Sequence, residues 1–124
     1  MNDKISSRSL VEDAVALNNE GVGFQEAGQL EQAIDRFKQA VVLVPNYVEA
    51  QYNLGNAFYI DGQLAEAEVA YQKALDYKPD FAELYNNLGG VLTCLGRFAE
   101  AIGCYCQALS LQVDFVDASN NLYK

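Results

Sequence analysis

Apolar residues recur along this chain at helical rather than alternating spacing. Leu54 and Phe58 stand four apart on one stretch, and Leu64, Ala67, Tyr71, Ala74 and Leu75 follow a three-and-four rhythm on the next. That period turns one stripe of a helix toward a core. The same succession of two stretches occurs three times. Gly21, Gly55 and Gly89 are 34 residues apart, as are Gly28, Gly62 and Gly96, and Ala33, Ala67 and Ala101. Phe37, Tyr71 and Tyr105 keep this register, and so do Ala40, Ala74 and Ala108. A fixed period of this length marks stacked units, each burying its apolar face on its neighbour. The spacing predicts an all-α chain of helix pairs. A lead-in over 1–13 continues into the first helix, units cover 14–47, 48–81 and 82–115, and 116–124 forms a partial fourth repeat or C-terminal capping helix.

The punctuation inside each unit sets its geometry. Gly28, Gly62 and Gly96 are placed to end the first helix in the left-handed conformation, which makes a tight turn and an antiparallel pair. Pro45 and Pro79 stop the second helix. Asn46, Asp80 and Asp114 are predicted as N-caps, with Glu49, Glu83 and Asp117 three residues on in the manner of a capping box. Ser9 and Glu12 repeat that spacing and predict a first helix starting near Leu10. Gly21, Gly55 and Gly89 fall inside the first helices, where glycine costs roughly 1 kcal/mol against alanine. Close approach of the two helices, with Ala33, Ala67 and Ala101 as the facing small residues, is the predicted reason.

The succession Leu54-Gly55-x-x-Phe58, Ala67-x-x-x-Tyr71, Ala74 and Pro79 resembles the tetratricopeptide repeat (TPR). Residues 14–115 follow that pattern without insertion or deletion. Three positions depart from it: Glu20 where leucine is usual, Gln51 at the usual large first position, and Val113 in place of proline. The resemblance implies a right-handed α-solenoid of stacked antiparallel helix pairs, with first helices lining a concave groove and second helices forming the outer wall. It also implies a non-enzymatic scaffold that binds other proteins.

Within that groove Asn19, Asn53, Asn87 and Asn121 share one register, similar to the asparagine ladder of the O-linked N-acetylglucosamine transferase TPRs. An amide side chain both donates and accepts, so such a row suits the backbone of an extended peptide. Asn56 and Asn86 extend the polar lining, and Tyr52 and Tyr59 offer apolar shelves. The competing use of the same residues is internal: asparagines tying neighbouring helices together, tyrosines packing on the next repeat. On the ligand-binding reading, alanine at Asn53 and Asn87 should cost less than about 1 kcal/mol of stability per site.

Charge narrows the partner. The chain of 124 residues is 51% hydrophobic and 20% charged with a net charge of -9, which disfavours nucleic acid and anionic membrane surfaces. Residues 14–27, 48–61 and 82–95 contain no lysine or arginine, whereas Arg36, Lys38, Lys73 and Lys78 fall on second helices. A TPR groove that clamps the acidic C-terminus of a heat-shock chaperone needs basic first helices, so a neutral to basic protein or peptide is expected here. No run of eighteen apolar residues and no signal-peptide core is present, and a cytoplasmic location is the expectation. The chain has no histidine, and Cys94, Cys104 and Cys106 are an odd set read as small apolar residues. No nucleophile–base pair, phosphate loop or metal-ligand spacing can be assembled, so no catalytic residue, metal or cofactor is predicted. Two alternatives to a peptide-binding scaffold stand beside it. One is an assembly module that self-associates through an apolar C-terminal end formed by Leu109, Leu111, Phe115 and Leu122. The other is a TPR fragment of a larger glycosyltransferase-like or secretion-related protein.

Overall fold

A computed structural model describes residues 7–122, and the side chains of residues 9–113. Among them six helices succeed one another: α1 (Ser7–Glu26), α2 (Leu30–Leu43), α3 (Val48–Ile60), α4 (Leu64–Tyr77), α5 (Ala82–Cys94) and α6 (Phe98–Leu122). Gly28, Gly62 and Gly96 each take a positive φ of about 80°. The two hydrogen bonds of a Schellman close follow in every case, as in Gln63 N–H to Phe58 O at 2.9 Å and Gly62 N–H to Tyr59 O at 3.1 Å. The very next residue, Gln29, Gln63 or Arg97, already accepts the first bond of the following helix. This leaves no slack between the two helices, and the chain reverses.

The pairs α1–α2, α3–α4 and α5–α6 stack through contacts of α2 with α3 and of α4 with α5. First helices also touch, α1 with α3 and α3 with α5, whereas no Cα of α2, α4 or α6 comes within 8 Å of another of these three among the described residues. Close first helices and splayed second helices make the stack curve, with α1, α3 and α5 on the inner side. The chain is an all-α helical repeat solenoid. Its core runs continuously through the repeats, from Phe37 and Ala33 through Leu54, Phe58 and Tyr71 to Leu84, Leu88 and Val91. Each fully buried ring or aliphatic side chain contributes about 1.5–3 kcal/mol.

Several sequence expectations are corrected. The first-helix glycines do not face alanine: a Cβ at Gly55 would lie 2.6 Å from ring carbons of Tyr71, one at Gly21 2.5 Å from Phe37, and one at Gly89 2.7 Å from Tyr105. The aromatic residue four positions beyond the alanine occupies the space each glycine opens. Asn46 and Asp80 are not N-caps. The cap positions belong to Tyr47 and Phe81, without a side-chain cap bond. Tyr47 N–H bonds Val44 O at 3.0 Å, which puts Pro45 and Asn46 at the centre of a β-turn, the places those residue types favour. This turn is anchored from the following helix: Gln51, 4% exposed, donates from Nε2 to Pro45 O at 3.2 Å, and Tyr85 in the same register donates to Pro79 O at 3.1 Å.

The two ends differ from expectation as well. α1 begins at Ser7, so Ser9 lies inside it. At the other end Asp114 starts no new helix, because α6 continues unbroken from Phe98 to Leu122. Val113 has the backbone N–H and helical freedom that Pro45 and Pro79 lack. Glu20, the departure from leucine, is exposed on α1 and pairs with Arg36 at 2.9 Å, while its counterparts Leu54 and Leu88 are buried. Cys104 packs against the core, whereas Cys94 and Cys106 are exposed. No helix among the described residues is long and apolar enough to cross a membrane.

Candidate functional site

The inner side of the curve carries the residues predicted for a ligand. Asn19 and Asn86 are exposed; Tyr52, Asn53, Asn56, Tyr59 and Asn87 are half-buried. Asn121 lies outside the described side chains. The shared register of Asn53 and Asn87 has an internal use. Asn53 donates from Nδ2 to Oδ1 of Asn18 at 3.0 Å, reaching back one repeat. Asn87 does the same twice, donating to the Tyr52 hydroxyl at 3.1 Å and to Oδ1 of Asn56 at 2.9 Å. Neighbouring first helices are thereby joined by side-chain amide hydrogen bonds across the seam where they touch.

The second of these seams is a four-residue network. The Tyr71 hydroxyl donates to Oδ1 of Asn56, which also receives the Asn87 amide. Tyr71 is fully buried, and burial pushes its phenol well above the ordinary range, with Tyr52 alongside adding to the shift. Its proton therefore stays in place as the donor to Asn56. Tyr52 lies against Phe81 with ring centroids 4.6 Å apart and tilted by 43°. Its ring thus packs on the last residue of its own repeat, while its hydroxyl is held from the next one by Asn87.

Tyr59 also turns onto the following repeat. Its hydroxyl sits where a Cβ of Gly90 would be, and burial, then the Cys94 thiol beside it, pushes its phenol up. Tyr52 and Tyr59 thus line the inner surface with the edges of rings whose other sides are packed. Asn18 and Tyr71 were not among the predicted site residues, yet both hold it together. The signal for Tyr71 was in the register: Val22 and Phe37 in the first repeat have neither amide nor hydroxyl, while Asn56 and Tyr71 in the second have both. Asn18, 2% exposed, has its counterpart in Tyr52, which accepts the equivalent bond from Asn87, but the change from amide to phenol hides that pairing in the sequence.

No basic side chain interrupts α3 or α5, and the acids on them, Glu49 and Glu83, sit in their first turns. Arg97 and Lys38 act on the outer side. Arg97 joins Glu68 of the preceding repeat at 2.7 Å and Glu100 at 2.8 Å, and Lys38 stands 5.5 Å from the centroid of Phe58. Outer depressions lie between the splayed second helices. One of about 240 Å³ is lined by Val41, Leu54, Phe58, Val69 and Lys73, and its counterpart one repeat on is lined by Leu88, Leu92 and Cys104.

Comparison with known proteins locates this architecture. A family profile described as "TPR repeat" matches residues 24–62 and again 55–93, and one described as "Tetratricopeptide repeat" matches 81–113. No curated protein matches the sequence. Among solved structures, the chain is similar to the first TPR of Spaghetti (RPAP3) bound to HSP90 peptide SRMEEVD. That likeness has 22% identity and a TM-score of 0.81, covering 91% of this chain and 90% of the other. It is similar to the crystal structure of MamA at 27% identity and a TM-score of 0.80, over 90% of this chain and 68% of that one. The Arabidopsis OM64 TPR domain matches at 21% identity and a TM-score of 0.81, over 85% and 87% of the two chains.

Proposed function

Since the chain belongs to the tetratricopeptide repeat family, we propose that it is a protein-interaction scaffold without chemistry of its own. Its inner surface takes an extended peptide, or an extended segment of a partner protein. Asn19 and Asn86, exposed and polar, are the first groups such a ligand meets. Asn53, Asn56 and Asn87 offer it the hydrogen-bonding capacity left over from the seam. Tyr52 and Tyr59 give it ring edges to lie on. A relative of the same fold binds SRMEEVD, an acidic peptide, but the observation that carries the reading here is the absence of lysine and arginine from α3 and α5. An acidic strand would find no counter-charge there, so the ligand is neutral to basic.

The test uses labelled peptides of equal length that carry lysine, serine or glutamate at alternate positions, titrated into the chain while its amide resonances are followed. Lysine and serine peptides should shift the signals of Asn19, Asn56 and Asn86 more strongly than the glutamate peptide. Preference for the glutamate peptide, or shifts confined to the outer depressions between second helices, would overturn the proposal.

A second reading has its own observation. On α6, Phe98 and Ile102 are each 62% exposed and Leu109 60% exposed, an apolar strip at the C-terminal end that favours self-association there.

A further inference from the structure

We propose that the exposed face of α6 receives a second copy of this chain, which lends its residues 116–122 to the place that a following first helix takes on α2 and α4. The inference rests on the self-association reading and specifies its structure. α2 packs on both α1 and α3, and α4 on both α3 and α5, but α6 packs on α5 alone among the described residues. The consequence is visible register by register. Ile34 is 7% exposed, Phe37 and Tyr71 are fully buried and Leu75 is 8% exposed, because the next first helix covers them. Their counterparts Ile102, Tyr105 and Leu109 are 62%, 38% and 60% exposed.

What belongs on such a face is given by the two places where it is covered. There the cover is a first helix that buries Leu54 or Leu88. Residues 116–122 carry the same pattern: Asn120, Asn121 and Leu122 stand 34 residues beyond Asn86, Asn87 and Leu88, and Asp117 beyond Glu83. This segment cannot reach the face of its own α6, because it is the straight continuation of that helix to Leu122. One residue accounts for the continuation. The turn Lys78-Pro79-Asp80-Phe81 returns as Gln112-Val113-Asp114-Phe115, with aspartate and phenylalanine kept and proline replaced.

Each copy therefore has an uncovered face and a covering segment that it cannot use itself. Mutual exchange between two copies satisfies both, and because each gives what it receives, the assembly closes as a symmetric pair. Head-to-tail stacking of α6 on the α1 of another copy is the poorer solution. It would bury Glu20, which pairs with Arg36 at the surface, in the place of a leucine.

Sedimentation equilibrium of the full chain at roughly 50 µM tests this, since an exchanged pair depends on protomer concentration. The wild type should run at twice the 13.6 kDa monomer mass. Leu122→Glu on the lent segment should abolish the pair as fully as Leu109→Glu on the receiving face. Val113→Pro should also give a monomer, because it restores the turn and lets each copy cover its own α6. It exchanges one largely exposed apolar side chain for another, so it keeps the test decisive where L122E unfolds. A monomeric wild type would overturn both the exchange and self-association. A wild-type pair that survives L122E or V113P would overturn the exchange while leaving self-association through α6 standing.

Discussion

The ring of Tyr71 fills the space above Gly55: a Cβ built on that glycine would lie 2.6 Å from two of its carbons. A glycine in mid-helix is unfavourable by roughly 1 kcal/mol against alanine, and the contact explains why it stands there. Gly55→Ala is expected to destabilise by about 1–3 kcal/mol, because the ring is held on all sides and cannot yield. Gly23→Ala is the control. Nothing lies within 4 Å of its Cβ position, so helix propensity alone should act and raise stability by up to about 1 kcal/mol. Urea unfolding of the two variants separates the explanations. Equal and small effects would mean that the ring is not what excludes a side chain at Gly55.

The Tyr71 phenol gives a signature in alkali. Its folded value is raised by burial, while in the unfolded chain it ionises near the ordinary value of about 10. A raised folded value means that the neutral form is favoured by the fold, so the contribution is complete below about pH 10 and is lost as the pH climbs toward the folded value. Unfolding midpoints should therefore fall above about pH 10. Tyr71→Phe should unfold earlier at neutral pH, by about 0.5–1.5 kcal/mol for the hydrogen bond to Asn56, and should show a shallower alkaline decline. An unchanged slope would assign the decline to other tyrosines.

The seam asparagines carry a revised expectation. On the ligand-binding reading of the sequence, alanine at Asn53 costs less than about 1 kcal/mol of stability. The structure gives its amide to Asn18, which is 2% exposed. Removing the donor strands a buried acceptor, which costs about 1–3 kcal/mol and outweighs the few tenths gained in helix propensity. Asn53→Ala should lower the thermal midpoint clearly, and Asn87→Ala, which breaks bonds to both Tyr52 and Asn56, at least as much. Midpoints within error of the wild type would show that water replaces these bonds.

The repeats were legible because their signals are local. Gly28, Gly62 and Gly96 take the positive φ that closes these turns, and period and residue type agree at every copy. What escaped was the partner of each signal. A small residue announces a close approach but not what approaches, and so alanine was expected where an aromatic ring lies. Asn46 and Asp80 fit a cap and a turn equally well by residue type, and the proline before them decides for the turn. The asparagine register was visible too, but whether an amide faces a ligand or a neighbouring helix depends on the distance between repeats. That distance is a tertiary quantity, set by the packing of α2 on α3 and α4 on α5. At α6 Asp114 and Asp117 carry the residue types of a new helix start, but without a proline at 113 nothing breaks the helix before them, and it runs on to Leu122.

The decisive variant for the groove is one that leaves the seam alone. Asn19 and Asn86 are exposed, one on α1 and one on α5, and neither takes part in the bonds that join the repeats. Replacing both by alanine should leave helix content and thermal midpoint within about 0.5 kcal/mol of the wild type, the range of surface substitutions remote from such features. Binding of the tightest peptide in the alternating panel should weaken by about 1–3 kcal/mol, since each lost amide leaves a peptide group without its partner. Added salt should matter little for a serine peptide and more for a lysine peptide, whose attraction to a chain of net charge -9 is screened beyond about 8–10 Å. Asn53→Ala and Asn87→Ala cannot make this distinction, because a loss of binding there also follows from a loosened seam. If the Asn19 and Asn86 double variant binds the serine peptide as the wild type does, the inner surface is not where the peptide lies. The outer depressions beside Val41 and Lys73 would then be the next surface to probe.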